Sequence, residues 1–143
     1  MHRERHTVEL DGRDFAQARE ELLAFRWFPQ GVIRPTICAD GVTVVQRFRI
    51  GPFACIDAPV RVVERIEEPS RVAIAVVTVR GHPERGVERY ELVLDPALDR
   101  VTLAIEKAWE LVDPLARLGA PLATWLQGHA TRLSLRRFRD AAW

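Results

Sequence analysis

Apolar positions along the chain change their period twice. Between Asp14 and Phe28, the residues Phe15, Ala18, Leu22 and Phe25 recur at three- and four-residue spacing. That spacing predicts an amphipathic helix, capped by Asp14 and ended by Pro29, Gln30 and Gly31. The period then falls to two: Val42, Val44, Gln46, Phe48 and Ile50 alternate with Thr43, Val45, Arg47 and Arg49. Such alternation predicts a half-buried strand, and Asp40-Gly41 before it predicts a hairpin with Val32 to Ala39. Phe53 to Ile66 reads as two short strands bent near Asp57-Ala58-Pro59, and Val72 to Val79 as a β-branched central strand. A polar loop from Gly81 to Gly86 precedes two more alternating segments, Glu88 to Leu94 and Val101 to Trp109. Asp113-Pro114 opens a second helix. Leu111, Leu115, Leu118 and Leu122 share one face of it; Trp125, Leu126, His129 and Leu133 carry the stripe on.

This order predicts a single α+β domain over residues 1–143. One N-terminal helix precedes a curved antiparallel sheet of six or seven strands, which wraps around a long C-terminal helix. Sequential strands joined by short turns pair antiparallel, and the apolar face of such a sheet needs a helical cover. The space between sheet and helix is then the expected ligand cavity.

Composition narrows the function classes. Hydrophobic residues are 48% and charged residues 29% of the 143, so a core can form without disulfides or metal. Formal net charge is +1, without the basic excess of a protein that tracks phosphate backbones, so no nucleic-acid partner is expected. Cys38 and Cys55 form no CxxC pair and are expected to be reduced core thiols. The charged N-terminus MHRERHTVELDG has no apolar signal segment, and the longest apolar run falls short of the ~20 residues of a membrane span. A cytoplasmic location is the expectation.

Candidate chemistry is sparse. His82, Glu84 and Glu88 would form an acid–base group if they converged in a pocket; as plain turn residues they would instead make a rigid hairpin with surface charges. Arg61 would clamp an anion if it pointed into the cavity, or would share a solvent face with Arg65. Lys107 follows Val101, Leu103 and Ile105; it either enters the interior, where it needs a partner, or marks an exposed strand end. His2 and His6 have metal-compatible spacing only on a helix, and they lie in a terminus expected to fray. No metal or cofactor is expected. Arg132, Arg136 and Arg139, with Arg137 beside them, are expected to solvate the outer face of the last helix.

One ordered set of segments resembles a known family. Gly81-His82-Pro83-Glu84-Arg85-Gly86, followed by Glu88-Arg89-Tyr90, is similar to the GHPE-x-GEE-x-F signature of the family catalogued as domain of unknown function nineteen-ninety. Phe15, Ala18, Leu22 and Trp27 resemble its N-terminal helix, Ala58 to Val63 its "pCRVV" strand, and Asp113 to Gln127 its C-terminal helix. Val87 departs from the first Glu of the GEE, and Val76-Val77-Thr78-Val79 replaces an aromatic-containing YGTL. The resemblance implies a START-like helix-grip fold related to lipid-transfer and polyketide-cyclase proteins, and no assigned activity.

Three functions follow as expectations. The first is a domain binding a small apolar or amphipathic ligand, with Tyr90, Trp109, Leu118, Leu122 and Trp125 as walls and Arg61 and His82 as polar contacts. The second is an enzyme using His82 with Glu84 or Glu88. The third is an interaction or oligomerisation domain presenting tryptophans.

Overall fold

The computed structural model describes residues 1–28, 31–82, 84–112, 117, 119–141 and 143, without the side chains of residues 50, 120, 122, 123 and 126. Seven strands run β1 (His2–Asp11), β2 (Ile33–Ile37), β3 (Thr43–Ile50), β4 (Ala54–Glu68), β5 (Arg71–Thr78), β6 (Glu84–Asp95) and β7 (Arg100–Leu111). A 3₁₀ turn (Gly12–Asp14) and α1 (Phe15–Leu23) separate β1 from β2, and α2 (Ala120–Arg139) follows β7. The strands form one antiparallel sheet in the order β1-β7-β6-β5-β4-β3-β2, with the apolar β-branched strand β5 at its centre, as its composition predicts.

The N-terminal dozen residues correct the reading of a frayed terminus. They form β1, paired along its length with β7 from His2↔Trp109 to Asp11↔Arg100. Alternation was there to read: Glu4, His6, Val8 and Leu10 form one row, but their polar members obscure the apolar period. β7 exposes a free edge, and pairing it satisfies backbone groups that would otherwise need water.

Helix α1 ends earlier than Phe28. Phe25 adopts φ 60°, Arg26 N–H donates to the Glu21 carbonyl at 2.9 Å, and Phe25 N–H donates to the Leu22 carbonyl at 3.1 Å. This is a Schellman closure with phenylalanine where glycine is usual. It turns the chain so that Phe25 and Trp27 both enter the core. Pro29 and Gln30, the expected stop signals, lie outside the described residues.

The β2–β3 hairpin forms where Asp40-Gly41 predicts it. The Asp40 carboxylate accepts from the backbone N–H groups of Val42 (3.0 Å) and Thr43 (2.8 Å), which holds the turn closed. Pro35 is tolerated because β2 is an edge strand. Phe53 to Ile66 is not two strands: β4 is continuous for 15 residues, and its irregularity is a register shift between Val62 and Glu64. A bulge there bends the strand without a break at Pro59, whose carbonyl still accepts from Val79 N–H at 3.3 Å.

The two faces of the sheet are unlike. Val44, Val60, Val72, Ile74, Tyr90, Leu92, Val101, Leu103 and Ile105 are buried on the inner face with Phe15, Leu22, Trp27 and Phe138 from the helical side. The outer face carries cross-strand ion pairs such as Arg89–Glu64 (2.7 Å) and Arg71–Glu91 (2.5 Å). Cys38 is half-buried and Cys55 is exposed, so neither is a core thiol. Among the described residues no helix is long and apolar enough to cross a membrane.

Candidate functional site

Strand β6 is where the polar residues collect. It begins at Glu84, earlier than expected, so the signature-like segment is strand rather than loop from Glu84 onward. Side chains alternate along a strand, and Glu84, Gly86, Glu88, Tyr90 and Leu92 therefore share the inner face with their β7 partners Leu111, Trp109, Lys107, Ile105 and Leu103. The signature residues thus form a single inward row. Val87, which departs from it, points outward and is exposed.

Gly86 has a steric reason. A Cβ built there would lie 2.4 Å from the Ala108 carbonyl oxygen and 2.9 Å from Trp109 Cα. Its backbone N–H donates to Thr78 Oγ1 at 2.9 Å, which ties β6 to β5 at this end of the sheet.

Lys107 enters the interior, against the reading of an exposed strand end. Its side chain is 2% exposed and its Nζ lies 3.2 Å from Glu88 Oε1. Tyr90 Oη donates to the other Glu88 oxygen at 3.2 Å, so one carboxylate joins the phenol and the ammonium. Burial, with the Glu88 charge and hydrogen bond adding to it, holds the Tyr90 phenol well above its ordinary range. Tyr90 also stacks on Trp27 with ring centroids 4.2 Å apart.

His82 and Glu84 sit at the loop end of the row. The Glu84 backbone N–H donates to His82 Nδ1 at 3.1 Å, so the neutral imidazole carries its proton on Nε2. The Glu84 carboxylate accepts instead from Gln127 of α2, which links helix and sheet. Burial holds the imidazole below its ordinary value, opposed by the Glu88 charge and the Glu84 backbone bond. For the Glu84 carboxyl, burial pushes upward, the Gln127 bond draws it back, and Glu88 adds to the rise. The stability consequences are opposite in sign. The His82 contribution is lost as pH falls below 6.5 through its folded value, and the Glu84 contribution is lost as pH rises from 4.5 through its own. Because the Glu88 charge raises His82, Glu88→Gln should lower the imidazole midpoint further. Proton NMR of the ring, assigned by comparison with His82→Gln, measures this; an unchanged midpoint would mean that His82 does not face the Glu88 row.

The helix presents an unexpected face. Its buried residues are Thr131, Ser134, Arg137 and Phe138, with Gln127 half-buried on the same side. Trp125 and His129 stand on the opposite side, stacked at 5.3 Å, and Trp125 is 57% exposed. The apolar stripe therefore faces outward at these positions, and Trp125 is not a wall of the interior. Leu118 and the side chain of Leu122 lie outside the described residues. Arg61 is exposed and lies opposite in sense to the inward Val60 and Val62; it does not share a face with Arg65 as expected, because the bulge between Val62 and Glu64 reverses the alternation and sets Arg65 opposite the inward Ile74. Arg137 corrects the expectation of a solvated basic face: it is buried and bound to Glu21 at 2.5 Å, whereas Arg132, Arg136 and Arg139 are exposed.

Among the described residues, four buried side-chain groups face no partner: Gln46 Nε2, Trp109 Nε1, Thr131 Oγ1 and Ser134 Oγ. All four residues are 5% exposed or less. Registers locate the first two. Val44, Val60, Thr78, Gly86, Trp109 and His2 form one inner-face row across the sheet. Gln46, Ala58, Glu84 and Leu111 belong to the next row toward the loop end. His2 stacks on Trp109 at 4.7 Å, and His6 bonds Glu4 at 3.2 Å. Among the described residues no group of three metal-compatible side chains forms. Two surface depressions lie elsewhere. One of about 520 Å³ is lined by Phe28, Ile33 and Ile37, and one of about 570 Å³ is lined on the outer side by Arg5, Arg89 and Glu106.

Sequence reasoning missed Gln127, Thr131 and Ser134 as site residues. Their signal was a polar stripe at helical spacing, which a search for apolar periodicity passes over.

Comparison with known proteins agrees with this architecture. Residues 1–137 match the model of the family described as "Domain of unknown function (DUF1990)". A conserved protein from Geobacillus kaustophilus is similar in structure at a TM-score of 0.61 and 14% identity, over 98% of this chain and 94% of that one. A START superfamily protein from Mycobacterium smegmatis is similar at a TM-score of 0.55 and 18% identity, over 93% and 99%. A protein from Arthrobacter aurescens is similar at 0.56 and 12%, over 95% and 83%. These likenesses show a START-like fold. No curated protein sequence matches the chain.

Proposed function

This chain belongs to the DUF1990 family, and from that premise we propose that it is a binding domain for a small molecule held between the inner face of the sheet and α2. The ligand contacts would come from His82, Tyr90 and Trp109 on the sheet and from Gln127, Thr131 and Ser134 on the helix. One observation carries the reading: four deeply buried polar groups on these two facing surfaces have no partner. A buried polar group left unpaired costs about 1–3 kcal/mol, and native proteins keep few of them. A bound molecule that paired with them would remove that cost, so its binding would be favoured by groups the fold already holds in place.

Of the apolar or amphipathic ligand expected from the sequence, the amphipathic kind is favoured, because the helix offers hydroxyls where a lipid chain would need methyl groups. Leu92, Leu103 and Ile105 further along the same face are already fully buried in the core. Native mass spectrometry of protein purified from its own host tests the proposal. The expected result is an added mass that leaves on denaturation, and that is absent from Ser134→Leu, in which a larger side chain enters from α2. A bare protein mass, together with a Ser134→Leu variant more stable than the parent, would mean that the interior is simply filled.

A further inference from the structure

We infer that the molecule taken by this site is uncharged or cationic and presents oxygen acceptors, and that the site discriminates against anions. This rests on the binding-domain reading above and goes beyond it in naming the ligand's chemistry.

The first observation is the kind of group left unpaired. Indole Nε1–H of Trp109 only donates, and the Gln46 amide nitrogen only donates. Thr131 and Ser134 hydroxyls each supply one further donor. The hydroxyls also accept, but the two groups of fixed role only donate, so an acceptor atom (a carbonyl, ether or hydroxyl oxygen) is what all four can use.

The second observation is charge. The buried cations already have carboxylate partners: Lys107 has Glu88, and Arg137 has Glu21 beyond the far end of the row. Glu84 and Glu88 lie four residues apart on the inward side of β6, one on each side of Gly86, and Glu4 stands opposite Lys107 on β1 with His6 bonded to it. A carboxylate or phosphate entering beside Trp109 would meet the half-buried Glu84 and Glu88, with Lys107 already shared. Like charges in such a setting oppose binding strongly. A neutral carbonyl meets the same donors without that repulsion.

The test uses a matched series measured by isothermal calorimetry on the full chain: chromone and xanthone as neutral ketones, their 2-carboxylates, and xanthene without the carbonyl. The ketones should bind at least tenfold more tightly than both counterparts. Trp109→Phe, which removes the indole donor together with part of the ring, should weaken xanthone several-fold and more than it weakens xanthene. Carboxylates binding as tightly as the ketones would overturn the inference while leaving the binding-domain reading in place. Xanthene binding as well as xanthone would overturn the acceptor requirement. Failure of all five compounds would count against both.

Discussion

Glu21→Ala is expected to lower the unfolding free energy by about 3–5 kcal/mol, the cost of stranding a buried charge. Glu21 is a buried carboxylate on α1, and three elements meet on it. Arg26 donates to both of its oxygens at 3.0 Å, Arg137 from α2 donates at 2.5 Å, and Gln17 donates at 3.2 Å. Arg137 also donates to the Arg26 carbonyl at 2.9 Å. Burial pushes the Glu21 carboxyl upward, but the bonds and charges of Arg26 and Arg137 outweigh it and hold the group below its ordinary range. The folded state therefore binds that proton less readily than the unfolded chain. Its contribution is present above pH 4.5 and is lost as pH falls through the folded value.

Urea unfolding at neutral pH measures the loss. A second comparison separates the charge pair from plain packing. Glu21→Met with Arg137→Met should recover most of the stability, because removing both charges removes the desolvation cost together with the attraction. Equal damage from the double and single variants would mean that the pair contributes by shape alone.

Trp27→Ala is expected to cost about 3–5 kcal/mol, the range for deleting a buried indole. Trp27 is fully buried, stacks on Tyr90, lies near Phe25 at 5.9 Å, and donates from Nε1 to the Leu22 carbonyl at 3.2 Å. Its loss opens a cavity against the phenol that holds Glu88. The variant should therefore show two changes: a lower denaturant midpoint, and a Tyr90 environment altered in near-ultraviolet circular dichroism. Trp27→Phe should retain more than half of the stability, since a ring still packs on Tyr90. A Trp27→Ala cost below about 1 kcal/mol would mean that the surrounding chain collapses into the space.

The apolar period of β3, β5, β6 and β7 and the Asp40-Gly41 turn determined by themselves that this chain forms an antiparallel meander closed by a helix. Alternation of side chains is a local property of a strand, and a turn residue acts on its own neighbours. The same logic explains the inward row from Glu84 to Leu92: once β6 is a strand, its even-numbered residues must share a face. Which face points inward was not local. Lys107 reads as a strand end until Glu88 on the neighbouring strand supplies its partner. Arg137 reads as solvated until Glu21, 116 positions earlier in the chain, meets it. The polar stripe of α2 ran against the rule that the apolar side of a helix is the buried one, and only packing against the sheet decided that Thr131 and Ser134 face inward while Trp125 faces out. β1 likewise gained its identity from the free edge of β7. Local periodicity sets what each segment can be; the pairing of buried charges and the satisfaction of sheet edges, both of which need residues distant in the chain, decided where the interior lies and why part of it is polar.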